Sequence, residues 1–557
     1  MTTRKRDNWR QRKFGFALKL LFGLAAVCGA HAGAQVSTAA PIVVTQDGAV
    51  KGFECTSASV PHCSGTGIEE FLGIPYAAPP VGTLRWTPPQ PHGRWPGVFK
   101  ATSFGSICTQ QDPKGGTTGS EDCLYLNIFR PSQQKGDAEN RGDHENQGDR
   151  LPVMVGIPGG AFVTGGSDDY DATPLVQKGV IVVTINYRLG MLGFFAHPTL
   201  DAEGHLSGNY GLMDQQSALR WVQRNIAAFG GDPKRVTIFG QSAGGTSVYS
   251  QLASPTAAGL FHRAIAASGT LGLFRNLQIM FPLADSEPGG IAVAANVGCG
   301  NQSAQCLRAT AASAIVAQQP KSLAPMVDGT VLPQTLDLAF ASGQFNRVPV
   351  ISGTNHDEWR YFVALQHDWV GNPLKDDGYS TAVAALVGPE NAALVPSLVN
   401  INYPLSNYNA PSGTQRAPLA LGALGTDYFF ACGARNAVRL LSNYVPTFAY
   451  EFNDENSPYG LYLPSISFPW GAAHGLELPY LLNLDSYPAP LTPAQQHLSD
   501  AMISYWTTFA YTGNPNSEST PLWSPYSAGS DEFQSMIPPA PTVESNFDAD
   551  HKCSLWK

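Results

Sequence analysis

The apolar positions of this chain cluster in short continuous runs. Leu151–Ile157, Val180–Tyr187, Arg235–Phe239 and Val348–Ser352 carry many β-branched residues and little alternation. Such runs predict strands of a parallel sheet buried on both faces. Between some of them the period lengthens. Over Gln215–Phe229, Leu219, Val222 and Ile226 share one face, and Gly230-Gly231 follows, which predicts a helix stopped by glycine. Near the C-terminus Thr492 and Pro493 predict a helix start, Leu498, Ile503, Trp506 and Phe509 its buried face, and Gly513 its end. Strands alternating with helices predict an α/β sheet.

Two stretches, about 276–340 and 368–426, show weaker patterns and are expected to be helical insertions. The segment 132–150 is charged, has almost no apolar residue and spaces Gly136, Gly142 and Gly148 evenly, so it is expected to be a surface loop without a packed core. Its Arg141-Gly142-Asp143 tripeptide is read as a product of that composition. No internal repeat is visible.

With 43% hydrophobic and 14% charged residues the chain is globular. Its first 34 residues predict an export signal. Arg4, Lys5, Arg6, Arg10, Arg12 and Lys13 precede an apolar stretch, Leu20–Val27, and small residues allow cleavage after Ala32 or Ala34. That stretch is too short for a membrane anchor, and Val27 before Cys28 is the wrong size for lipoprotein processing. The expected organisation is a signal peptide, 1–34, and a single domain, 35–557, secreted or periplasmic. Cleavage would remove seven basic residues and Asp7, taking the formal charge from −9 to −15. So acidic a surface disfavours nucleic acid and anionic membranes as partners.

Eight cysteines remain after cleavage. In an exported chain an even count predicts disulfides, and no CxxC pair or HExxH suggests a metal cage. Cys55 and Cys63, or Cys299 and Cys306, would close short loops, and Cys432 with Cys553 a long one. Spacing leaves the connectivity open.

The sharpest chemical signal is Gly240-Gln241-Ser242-Ala243-Gly244, placed after the strand Arg235–Phe239 and before a helix-compatible stretch. A G-x-S-x-G sequence in that context holds its serine out of a sharp turn at a helix N-terminus, which makes Ser242 the candidate nucleophile. Pro158-Gly159-Gly160-Ala161-Phe162 follows another strand. Its small residues expose backbone N–H groups that, with the N–H of Ala243, can hold an oxyanion. The serine needs a base and the base an orienting acid. Twelve histidines compete. His474 lies in a small-residue loop, Gly471–Gly475, and Glu358 follows a predicted strand with Asp357 as its rival. The order serine, acid, histidine suits an α/β hydrolase.

These residues resemble the type-B carboxylesterase family, which also contains cholinesterases and the non-catalytic neuroligins. The resemblance runs from about Val43 to the C-terminus. It is carried by Phe71–Pro80 (FLGIPYAAPP), Ser120–Ile128 (SEDCLYLNI), Asn186–Gly190 (NYRLG), the Ser242 motif and Gly471–His474 (GAAH). It implies an α/β-hydrolase fold, a large mostly parallel central sheet flanked by helices with helical insertions. It also implies a triad of Ser242, Glu358 and His474, oxyanion donors at Gly160, Ala161 and Ala243, and a buried serine, Ser268, near the acid. Three disulfides follow from it, Cys108–Cys123, Cys299–Cys306 and Cys432–Cys553, and Cys55 and Cys63 remain to pair. Arg85 and Glu121 match a structural ion pair.

The chain departs from the family at Pro158, where an aromatic residue or histidine is usual, at Ala161 for glycine, and at Gln241 for glutamate. The Cys108–Cys123 loop lacks the tryptophan with which cholinesterases hold a quaternary ammonium, so choline esters are not expected substrates. The implied activity is hydrolysis of a small-molecule or polymeric carboxylic ester through an acyl-enzyme, with no cofactor and no catalytic metal. Polyester, polyurethane or lipid esters are alternatives, and a neuroligin-like binding protein is the other class.

Overall fold

The apolar runs pair side by side into one large sheet, eleven-stranded among the described residues. The structure, a computed structural model, describes residues 40–55, 67–112, 114–132, 150–169, 171–271, 280–321, 323–461, 463–484 and 490–556. The expected leader, Cys63 and nearly all of the charged insertion lie outside them. In chain order the strands are β1 (Phe53–Cys55), β2 (Ile68–Pro75), β3 (Tyr125–Pro131), β4 (Leu151–Ile157), β5 (Ile181–Ile185), β6 (Gly231–Gln241), β7 (Arg263–Ala267), β8 (Val350–Asn355), β9 (Thr447–Phe452), β10 (Phe533–Met536) and β11 (Thr542–Glu544). Their spatial order is β11-β10-β9-β8-β7-β6-β4-β5-β3-β2-β1. Pairing is parallel from β10 through β5 and antiparallel at both ends.

Prolines adjust the expected strand limits. Pro349 has no N–H for the ladder, so β8 begins at Val350. Pro233 lies within β6, where the register with β4 shifts between Gly231 and Val236.

Helices cover both faces. Along β4, Val153, Val155 and Ile157 join one apolar cluster with Leu219, Val222 and Ile226. Met154 joins the opposite cluster with Leu498, Trp506 and Phe509. The first of these helices, α1 (Tyr210–Asn225), starts earlier than its apolar period suggests. Tyr210 through Asp214 are all buried, so that turn has no polar face to mark it. The next helix, α2 (Ala243–Ala253), follows β6 directly. The C-terminal helix, α3 (Pro493–Thr512), has the predicted ends: Thr492 and Gln495 form a reciprocal cap, and Gly513 closes it at φ 80°.

The weakly patterned stretches are helical, as expected, and those after β8 form a third apolar cluster with the C-terminal residues Phe547 and Trp556. Cys432–Cys553 ties that cluster to the chain end, and Cys108–Cys123 and Cys299–Cys306 also form. Arg85 meets Glu121 through two hydrogen bonds of 2.6 and 2.5 Å. No helix among the described residues is long and apolar enough to cross a membrane.

Candidate active site

Ser242 stands alone between β6 and α2, at φ 61° and ψ −125°. A side chain at positive φ costs on the order of 1–3 kcal/mol, so the surroundings must enforce it. Its N–H donates to the Ala267 carbonyl at 2.9 Å, and its carbonyl accepts the Thr246 N–H at 2.9 Å. The two glycines of the motif permit the crowding. A Cβ on Gly240 would sit 2.5 Å from the Gly244 carbonyl carbon, and one on Gly244 would sit 2.2 Å from the Ile157 oxygen.

The loop after β4 lies against this elbow, since a Cβ on Gly159 would come within 3.2 Å of the Ser242 Cβ. Gly160, Ala161 and Phe162 have φ of 102°, 54° and 61°. The loop is pinned by Gly190 N–H on the Phe162 carbonyl (2.7 Å) and Leu323 N–H on the Ala161 carbonyl (3.1 Å). Among the described residues no protein acceptor takes the N–H of Gly160, Ala161 or Ala243, which leaves these donors open to a ligand.

His474 and Glu358 come together from segments 116 residues apart: His474 Nδ1 hydrogen-bonds Glu358 Oε2. Glu358 is fully buried, and its Oε1 accepts from Thr354 Oγ1 and the Asn355 N–H, both at 2.8 Å. Its rival Asp357 turns away. Asp357 pairs with Arg360 at 2.8 Å and accepts the Ala472 N–H at 3.0 Å, and although burial opposes its charge, the Arg360 guanidinium holds its carboxyl below the ordinary range. Burial likewise disfavours a charged His474, but the Glu358 carboxylate outweighs it and raises the imidazole above the usual histidine value.

The other imidazole nitrogen meets a residue that sequence reading treated only as a family departure. His474 Nε2 lies 3.2 Å from the Gln241 side-chain amide nitrogen, which is its hydrogen-bond partner rather than Ser242 Oγ. With Nδ1 donating to Glu358, Nε2 keeps a lone pair, and that pair is what a general base uses. Ser268 is buried at φ 51°, its N–H on the Gly353 carbonyl at 2.8 Å, and its hydroxyl makes no hydrogen bond to Glu358.

Glu477 was missed. It is buried beside the pair, held by Asn355 Nδ2 at 2.5 Å. Burial first, and the neighbouring Glu358 charge second, push its carboxyl up to about 7. Its place three residues after His474 was the available signal. Phe362 and Phe430 wall the imidazole, with ring centroids 5.2 and 5.1 Å away. Beyond the loop after β4, Phe194, Phe281, Leu323 and Met326 line an apolar cavity of about 380 Å³.

A model of the carboxylesterase family matches residues 39–556. The chain is 34% identical to a human (Homo sapiens) cocaine esterase, over 93% of this chain and 91% of that protein. It is also 34% identical to a pyrethroid hydrolase of Rattus norvegicus, over 87% and 84% respectively. The solved structure of a PNB esterase superposes with a TM-score of 0.73 at 31% identity, covering 93% of this chain and 100% of the other.

Proposed function

The chain belongs to the carboxylesterase family and is a carboxylic ester hydrolase, and we propose that it acts through an acyl-enzyme formed on Ser242. His474 takes the hydroxyl proton at Nε2 as Ser242 Oγ attacks the ester carbonyl. Glu358 fixes the tautomer and stabilises the imidazolium. The N–H groups of Gly160, Ala161 and Ala243 hold the tetrahedral oxyanion. His474 then protonates the departing alcohol, and water repeats the sequence on the acyl-enzyme. No cofactor enters these steps. We further propose that residues 1–34 direct export and are cleaved.

The observation that carries this reading is the His474–Glu358 hydrogen bond, built on a carboxylate whose other oxygen is already held by two donors. For Ser242 to donate to Nε2, the Gln241 amide must give up that nitrogen, a change of partner suited to substrate arrival. The aromatic wall and the apolar cavity beyond the oxyanion loop favour uncharged esters with an apolar substituent.

The test is hydrolysis of a p-nitrophenyl acyl-chain series by the wild type beside Ser242→Ala. Activity that disappears in the variant, with a chain-length optimum beyond acetate, supports the reading. A variant as active as wild type would remove Ser242 from the chemistry.

A further inference from the structure

Two histidines and a group of carboxyls converge where β8, β9, β11 and the C-terminal residues meet. One ligand atom from each of His356, Glu451 and His551 lies within 4.8 Å of the others. The two rings have centroids 5.3 Å apart. His551 is buried, with Nδ1 on Asp427 Oδ1 at 2.7 Å and Nε2 on Glu451 Oε1 at 2.5 Å. A neutral imidazole has one N–H and satisfies one carboxylate, so the two contacts together need either a proton on both ring nitrogens or a second cation at Glu451.

The carboxyls are crowded as well. Asn453 Nδ2 donates to both Glu451 Oε2 and Glu544 Oε2, at 3.2 and 3.1 Å. Glu544 Oε1 is buried and takes no hydrogen-bond donor. His356 Nε2 is 3.4 Å from Asp550 Oδ2, and these two side chains, 32% and 51% exposed, open the cluster to solvent.

We propose that His356, Glu451 and His551, with Glu544 or Asp550 as the fourth donor, form a binding site for a divalent transition metal, zinc by preference. Two imidazoles and carboxylate oxygens are the donor set zinc takes, whereas magnesium and calcium take oxygen alone. Asp427 on His551 Nδ1 supplies the carboxylate that orients a metal-bound imidazole and leaves Nε2 for the ion. A bound ion would replace the proton between His551 and Glu451 and let the two move apart to share it. It would join the ends of β8 and β9 to the chain terminus, two residues from Glu358, so its role is to stiffen the support of the acid and not to enter the chemistry.

The test uses the tag-free protein, stripped with chelator and exchanged into metal-free buffer. Zn²⁺ binding is measured by equilibrium dialysis, and Co²⁺ is added as a visible-absorbing substitute. The expected result is one equivalent bound, Co²⁺ absorption bands, and a higher melting temperature. His356→Ala changes a partly exposed ligand and should leave the fold intact while weakening binding at least about tenfold. Glu544→Gln or Asp550→Asn should do the same, according to which supplies the fourth donor. Absence of stoichiometric binding in the wild type, or binding unchanged in His356→Ala, would overturn the proposal and leave protons as the cations of the cluster.

Discussion

Replacing Glu358 by glutamine puts the proposed catalytic pair to its most specific test. The variant is nearly isosteric, and the local donors decide which way its amide points. Thr354 Oγ1 and the Asn355 N–H both donate to Oε1 at 2.8 Å. Turning an NH₂ group toward them would lose both bonds and leave buried donors unsatisfied, at about 1–3 kcal/mol for each group. The amide oxygen therefore stays there, and the NH₂ group faces His474 Nδ1. That nitrogen must then accept, its proton moves to Nε2, and the lone pair that would receive the Ser242 proton is gone. The wrong tautomer costs on the order of 10⁴ in kcat, equivalent to ~5.5 kcal/mol of barrier. The assay is steady-state hydrolysis of p-nitrophenyl butyrate from pH 5 to 9, with the thermal transition recorded to show that the fold survives. In the wild type the base must be neutral, and Glu358 raises its pKa, so the acid limb should lie above the ordinary histidine value of about 6.5. Asp357→Asn is the control. Asp357 serves Arg360, Ala472 and His356, so kcat should stay within about tenfold, the change falling on stability. A Glu358→Gln enzyme within tenfold of wild type, or an Asp357→Asn enzyme equally damaged, would refute the assignment.

Glu477→Gln removes a negative charge that helps raise the His474 pKa, so the acid limb of kcat/KM should move to lower pH, and an unmoved limb would show that Glu477 stays neutral. Ala161 has φ 54°, and Ala161→Gly should relieve that strain by about 1 kcal/mol, seen as a higher urea midpoint. It should also open the site to bulkier acyl groups in the p-nitrophenyl series. Cys432 and Cys553 are 121 residues apart, and replacing both by alanine should lower unfolding stability by ~2–5 kcal/mol in urea titration.

Much of this architecture is local and was legible in the chain. β-branched runs such as Leu151–Ile157 define strands because a strand buried on both faces needs nothing but apolar residues. The ends of α3 are set by Thr492, Gln495 and Gly513, which act within one turn of the helix. The Ser242 elbow was equally readable, because its strain and crowding arise within Gly240–Gly244 and the carbonyl of Ile157. The limits of β8 and α1 were misjudged where Pro349 removes a donor and where a wholly buried turn has no polar face.

Only the tertiary structure decided which side chains meet. The small-residue loop around His474 makes it a candidate among twelve histidines, but nothing local shows which carboxylate it meets. The sheet order that sets β8 between β7 and β9 brings Glu358 beneath it and leaves Asp357 to Arg360. The Gln241 contact with His474 spans 233 residues, and the cluster of His356, Glu451 and His551 draws on three separate segments. Backbone preference and apolar period act over a few residues and specify elements. Distances of 3 Å between those elements depend on strand order and on the packing of both sheet faces, which the whole chain sets together.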